Sequence, residues 1–250
     1  MLQAIIRTVL KAGDILKNTV ESDDIEMKSS SKDLVTVYDK KVQEFLYTEF
    51  SRQFPDSGFL GEEQLNKVSD VGTFIIDPID GTTNFIKGLR HSAISVGYCT
   101  GGEIKYGVVY DPFKNELFAA EKGCGATLNG KPIHVTSNPI EKSVAIFGTA
   151  AYYPEFNEVT YEMVLKLQKY VIDVRRFGAA TLDFCYVACG RSEMFVEYLL
   201  QPWDIAAGSL IASEAGAIVT DMKGNALQFD KATSVVAANK ETYDTVMKLV

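Results

Sequence analysis

TFIIDPIDGTTNF, Thr73 to Phe85, opens as a strand and closes as a turn. Phe74, Ile75 and Ile76 form the short apolar run of a buried strand. Asp77-Pro78-Ile79-Asp80 follows, two carboxylates on either side of a Pro-Ile pair. Proline fixes its own φ and drives the preceding residue extended, which predicts a strand that stops with Asp77 at its tip. Gly81-Thr82-Thr83-Asn84 is a small-residue turn whose amides can face an anion, the more so where a helix begins. Oxygen ligands for hard cations beside donors for an anion are what a metal-dependent phosphate site requires. A lone Asp here would more readily be a turn or helix cap; the strand-turn-helix context favours the site.

Upstream, Gly58-Phe59-Leu60-Gly61 leads into Glu62-Glu63, adjacent carboxylates whose repulsion costs stability unless a cation or base uses them. Surface glutamate pairs are common, and the short loop between this pair and Asp77 tips it towards function. A helix with the apolar face Val42, Phe45, Leu46 and Phe50 precedes it, with Asp33 as its cap. Thr36 and Asp39 fall in its first turns and face one way, although composition alone reads both as exposed helix-start residues. Leu2, Ile5, Ile6, Val9, Leu10 and Leu16 recur at helical spacing and predict a first helix. Between the two helices, Glu21 to Lys32 is polar and serine-rich and reads as a loop carrying Lys28 and Lys32.

Downstream, Ala93 to Val135 alternates in the β manner, with turns at Gly101-Gly102 and Lys114-Asn115 and a hairpin signal at Asn129-Gly130. His91 and His134, the two histidines, are too far apart in sequence to suggest a shared metal site and read as non-catalytic. From Ser143 onward strands and helices alternate, which predicts an α/β half. In Pro202-Trp203-Asp204, proline suits the first helical turn and Asp204 lies at the positive end of that helix. Alone, Asp204 is a helix cap; beside the first half, it is the distant acid that a two-metal site still lacks. The expected division is an α+β unit over 1–140 and an α/β unit over 141–250.

The 250 residues carry a net charge of −8, which argues against nonspecific nucleic-acid binding, a process that depends on Lys and Arg. Acidic clusters also repel phosphate unless a cation such as Mg²⁺ inverts the local field. No apolar run reaches membrane-span length and the N-terminal helix lacks a signal-peptide pattern. Cys99, Cys124, Cys185 and Cys189 show no metal-finger spacing. Together these predict a cytoplasmic protein.

Gly61 to Glu63 (GEE), Asp77 to Phe85 (DPIDGTTNF) and Pro202 to Ala217 (PWDIAAGSLIASEAGA) resemble the inositol monophosphatase family, and the likeness runs on to Val235–Asn239 (VVAAN). The resemblance implies a layered αβαβα sandwich, a homodimer, and lithium-sensitive, Mg²⁺-dependent hydrolysis of phosphate monoesters. It implies two to three Mg²⁺ ions per site, Mn²⁺ as a substitute, and Li⁺ and Ca²⁺ as inhibitors. Glu62, Asp77 and the Ile79 carbonyl would hold the first ion, and Asp77, Asp80 and Asp204 the second; a third, weaker ion would lean on Glu62. Thr82 and Asp39 would orient and deprotonate the attacking water, with Glu63 supporting the same network. The amides of Gly81 and Thr82 would cradle the phosphate. Lys28 would be the loop lysine, and Glu197 would meet sugar hydroxyls with Ala180 nearby.

One departure stands out. Relatives often show His-Gly-x-Pro where this chain has Lys87-Gly88-Leu89-Arg90. The change leaves the metal set intact and adds cationic groups that would suit a second phosphate or carboxylate. Myo-inositol-1-phosphate is the leading substrate; fructose-1,6-bisphosphate, a nucleotide and histidinol phosphate are alternatives. A binding protein on the same fold, catalytically silent, is the alternative of another class.

Overall fold

The computed structural model describes residues 1–17, 25–27, 34–63, 65–148 and 153–250, with the backbone alone at 25–27, 34–36 and 65. Helix α1 (Leu2–Lys17) is followed by the short antiparallel ribbon β1 (Ile25–Met27) and β2 (Leu34–Thr36), then by α2 (Val37–Gln53). An eight-stranded sheet is built from β3 (Gly58–Gly61), β4 (Leu65–Lys67), β5 (Thr73–Asp80), β6 (Ala93–Thr100), β7 (Glu103–Asp111), β8 (Glu116–Glu121), β9 (Ala126–Leu128) and β10 (Lys131–Ile133). The short helix α3 (Thr82–Ile86) interrupts it after β5. The remainder comprises β11 (Val144–Phe147), α4 (Pro154–Leu167), β12 (Asp173–Arg175), α5 (Ala180–Ala188), β13 (Met194–Leu200), α6 (Pro202–Glu214), β14 (Ile218–Thr220), β15 (Thr233–Ala238) and α7 (Lys240–Val246). Its five strands form a mixed sheet in the order β12-β11-β13-β15-β14.

Three apolar clusters set five layers. On one side of the large sheet, Ile5, Val9, Ala12 and Leu16 of α1 and Val42, Leu46 and Phe50 of α2 bury against Phe74 and Ile76. Phe50 stacks on Phe74 with ring centroids 4.3 Å apart. Side chains of this size stabilise by about 1.5–3 kcal/mol each when fully buried. On the opposite side, α5 and α6 fill the space between the two sheets, touching Ile75 and Phe118 of one and Ile146 and Phe195 of the other. Met163 and Val164 of α4 and Val246 of α7 cover the outer face of the small sheet. The layered αβαβα expectation holds.

The close approach of α6 to the large sheet needs two glycines. Gly97 and Gly107 are cross-strand partners. A Cβ on either would come within 2.8 Å of Ala206 or Ala207 of α6. That contact fixes the helix whose first turn carries Asp204.

Three local expectations are corrected. Thr36 ends β2 instead of lying in α2, and part of the segment read as a loop, Ile25–Met27, is a strand paired with it. Asp33 and Lys28 lie outside the described residues. Most consequentially, β5 does not stop at Asp77 but runs to Asp80. Pro78 cannot donate to a ladder, and the strand accommodates it as a β-bulge: Asp77 pairs with Ser95 and Asp80 with Ala93. Three residues on β5 thus span two on β6, an irregularity that re-aims side chains. Residues three apart on a regular strand point to opposite faces. Here Asp77 and Asp80 oppose residues two apart, and so share a face.

Candidate active site

That shared face looks onto α5 and α6. Asp77 and Asp80 are 2% and 7% exposed. The Ile79 amide donates to Asp77 Oδ1 at 3.0 Å. Asp80 is held by the first turn of α5: the Ala180 amide donates at 3.2 Å, the Thr181 amide at 2.7 Å, and the Thr181 hydroxyl through a short bond. A carboxylate at a helix N-terminus is stabilised by the unsatisfied amides there, so Asp80 ties the large sheet to the central helices. Asp204 is in the first turn of α6, where the Gln201 amide donates to its Oδ2 at 2.7 Å. Its capping role and its place beside the other acids therefore coexist.

The acids act on one another. Burial first, and then the charges of Glu62, Asp80, Asp204 and Asp39, hold the Asp77 carboxyl well above the usual range. Asp204 keeps partial solvent access, yet it too is pushed well up, by burial and by Asp80, Glu62 and Glu197, against the Gln201 amide. Burial raises Asp80 while the Thr181, Ala180 and Leu182 bonds pull it back down. Glu62, Asp77, Asp80, Asp204 and Asp39 are thus brought together from β5, the end of β3, α6 and α2. No three ligand-type side chains among the described residues form a ready-made coordination cluster; Asp77, Asp80 and Asp204 are each turned to nearby backbone amides, and what the acids share is a field.

Glu197 of β13 is 7% exposed, and its carboxylate packs so tightly on Gly148 that a Cβ there would come within 1.9 Å. Burial lifts it to about 8, against the pull of Arg176 and with the push of Asp80. Glu63 is anchored through its backbone: Gln43 Nε2 donates to its carbonyl at 2.5 Å and its amide donates to Gln43 Oε1 at 3.1 Å. Thr82 donates its hydroxyl to the Ile79 carbonyl at 2.9 Å. Gly81 has φ 80°, which L side chains rarely adopt, and a Cβ there would be tight, 3.0 Å from the His91 carbonyl and 3.1 Å from Ala179. Lys87 and Arg90 are exposed beyond this turn. His91 is held neutral near 4 by burial and by Lys114, whose Nζ lies 3.0 Å from Nδ1.

Four contributors escaped sequence reasoning. Thr181 grips Asp80. Asn84 Nδ2 donates to the carbonyls of His91, Phe177 and Gly178 at 3.0, 2.8 and 3.3 Å, sewing the turn to the lead-in of α5. Asp183, 1% exposed in α5, is driven well up by burial, Asp80 and Glu197. Arg176 opposes that rise, and the Arg175-Arg176 pair was the one signal in the sequence for it.

A five-layer sandwich with buried acidic side chains from several elements beside a glycine turn is what a phosphate-hydrolysing site requires. The family model for the inositol monophosphatase family matches residues 1–250, and the chain belongs to that family of phosphoric monoester hydrolases. A fructose-1,6-bisphosphatase/inositol-1-monophosphatase of Thermotoga maritima is 38% identical, covering 98% of this chain and 93% of the relative. Nus factor SuhB of Escherichia coli K12 is 37% identical, covering 90% and 86%. A crystal structure described as an IMPase/NADP phosphatase complexed with Mg²⁺ and phosphate superposes with a TM-score of 0.88 at 27% identity, covering 99% of this chain and 93% of the other.

Proposed function

We propose that the protein hydrolyses a small phosphorylated polyol or sugar, first among them myo-inositol-1-phosphate, and depends on Mg²⁺. The observation that carries this is the field on Asp77, where four further carboxylates raise one buried acid. Mutually repelling buried acids are costly unless cations neutralise them, and an all-oxygen donor set suits a hard ion. Glu62, Asp77, the Ile79 carbonyl, Asp80 and Asp204 would hold it. When bound, Mg²⁺ would neutralise phosphate charge and lower the pKa of water.

The chain's own groups supply the rest. Asp39 takes a proton from the attacking water, Thr82 orients that water, and Glu63 supports the same network. The Gly81 and Thr82 amides face the phosphate oxygens. Glu197 receives the polyol hydroxyls, with Ala180 nearby. Water attacks phosphorus in line and no phosphoenzyme forms. The two halves, 1–140 and 141–250, act as one body, and the protein is a cytoplasmic homodimer. Among the described residues no helix is long and apolar enough to cross a membrane.

Two further readings have support. The double name of the Thermotoga relative favours a bisphosphate substrate, as do the exposed Lys87 and Arg90. The relative named Nus factor SuhB favours a binding role on the same fold, although the retained acids support the hydrolase. The deciding experiment is phosphate release from inositol-1-phosphate, fructose-1,6-bisphosphate, histidinol phosphate and 3′-phosphoadenosine 5′-phosphate, with Mg²⁺, with chelator and with added Li⁺. Release with Mg²⁺ that chelator abolishes is expected; no release from any of them would leave the binding role.

A further inference from the structure

Ser95 is completely buried, and its hydroxyl has no hydrogen-bond partner among the described residues. Leaving a buried hydroxyl unpaired costs about 1–3 kcal/mol, so a native orphan asks for a reason. Ser95 lies directly across the ladder from Asp77, and directly opposed residues present their side chains on one face with Cβ atoms about 4.5–5.5 Å apart. Its neighbours on that face of β6 are Ala93, opposite Asp80, and Gly97, where a Cβ would come within 2.8 Å of Ala206 of α6. The closeness of α6 explains why this row is small, yet alanine would be just as small and leave no orphan. Size therefore does not account for the hydroxyl. Among the described residues, the hydrogen bond to Asp77 comes from the Ile79 amide alone, whereas carboxylates that hold cations are usually fixed by further donors behind them.

We propose that Ser95 is a positioning residue for Asp77, its unpaired hydroxyl the donor that would receive the carboxylate when a cation is held. The assignment rests on the metal reading above and adds the residue that would orient Asp77 within the set that holds the cation. Ser95→Ala removes only the unpaired oxygen, so the chelated protein is expected to melt at the wild-type temperature or higher. Calorimetric titration with Mn²⁺ is expected to show affinity weakened about tenfold. Asp77→Asn is expected to weaken it further, and adding Ser95→Ala to Asp77→Asn is expected to change nothing more.

Ser95→Ala binding Mn²⁺ as tightly as wild type while Asp77→Asn does not would overturn the role of Ser95 alone. A lowered melting temperature with unchanged affinity would likewise overturn it and make the hydroxyl structural. An additive loss in the double variant would show that Ser95 acts elsewhere than on Asp77. Wild-type affinity in Asp77→Asn would instead remove the metal reading beneath the proposal.

Discussion

Two buried carboxylates, Glu193 and Asp77, live under opposite rules. Glu193, just before β13, is 5% exposed, and three donors meet it: the Thr136 hydroxyl at 3.1 Å, Asn138 Nδ2 at 2.9 Å and the Val144 amide at 2.8 Å. Asn239 braces the same knot by donating to Thr136 Oγ1 and the Asn138 carbonyl. Asp77 is at least as buried, yet four other carboxylates raise it. One acid is satisfied by the fold, while the other is strained by it. Buried ionisable groups raised by their own kind are candidates for function for that reason, and satisfied ones are part of the frame.

The contrast can be broken most forcefully by removing charge from the strained acids. Asp77→Asn and Asp204→Asn are each expected to cut Mg²⁺-dependent phosphate release by more than the about 100-fold typical of changes behind the ligands. Their chelated forms should melt no lower than wild type, because repulsion has been relieved. Near-normal turnover in both would erase the distinction.

Glu193→Ala should do the reverse. Its donors would be stranded, at a cost of about 1–3 kcal/mol in urea unfolding, while turnover per folded molecule persists. A fully stable Glu193→Ala would show the knot to be ornamental.

The pH dependence sharpens the comparison further. In the fold Glu197 keeps its proton up to about 8, against an ordinary value of 4.5. Between those values unfolding releases a proton, so stability falls as pH rises; below both there is no difference. Asp77, Asp204 and Asp183 are raised and act in the same direction. The melting temperature of the chelated protein should therefore decline from pH 5 to pH 8, and less steeply in Glu197→Gln. A flat wild-type profile would contradict the burial of these acids.

The smallest effect concerns Arg90, exposed and at φ 53°. Arg90→Ala is expected to lower the rate on bisphosphates relative to monophosphates by a few-fold. Unchanged ratios would end the second-anion reading.

Much of this site was legible because its acids announce themselves locally. Asp77 and Asp80 flank Pro78 beside a glycine turn, Glu62 follows a strand, and Asp204 follows a helix-starting proline; the motif resemblance then bound them together. The misreading of Pro78 is instructive, since proline stops a ladder bond without having to stop the strand. The bulge it occupies puts both acids on one face, and only the pairing with Ser95 and Ala93 reveals this. Thr181 and Asp183 sit in an unremarkable small-residue helix a hundred positions from Asp80. Their importance comes from the way Asp80 docks on the first turn of α5, a long-range fact with no local signature.

The central claim is that acids from several layers converge to hold divalent cations for phosphate chemistry. Anomalous diffraction from crystals soaked in Mn²⁺ tests it most directly. The account predicts Mn²⁺ peaks between Glu62 and Asp77 and between Asp77, Asp80 and Asp204, with the latter lost in Asp204→Asn. Well-ordered acids with no anomalous peak among them, at Mn²⁺ concentrations that support turnover, would contradict it.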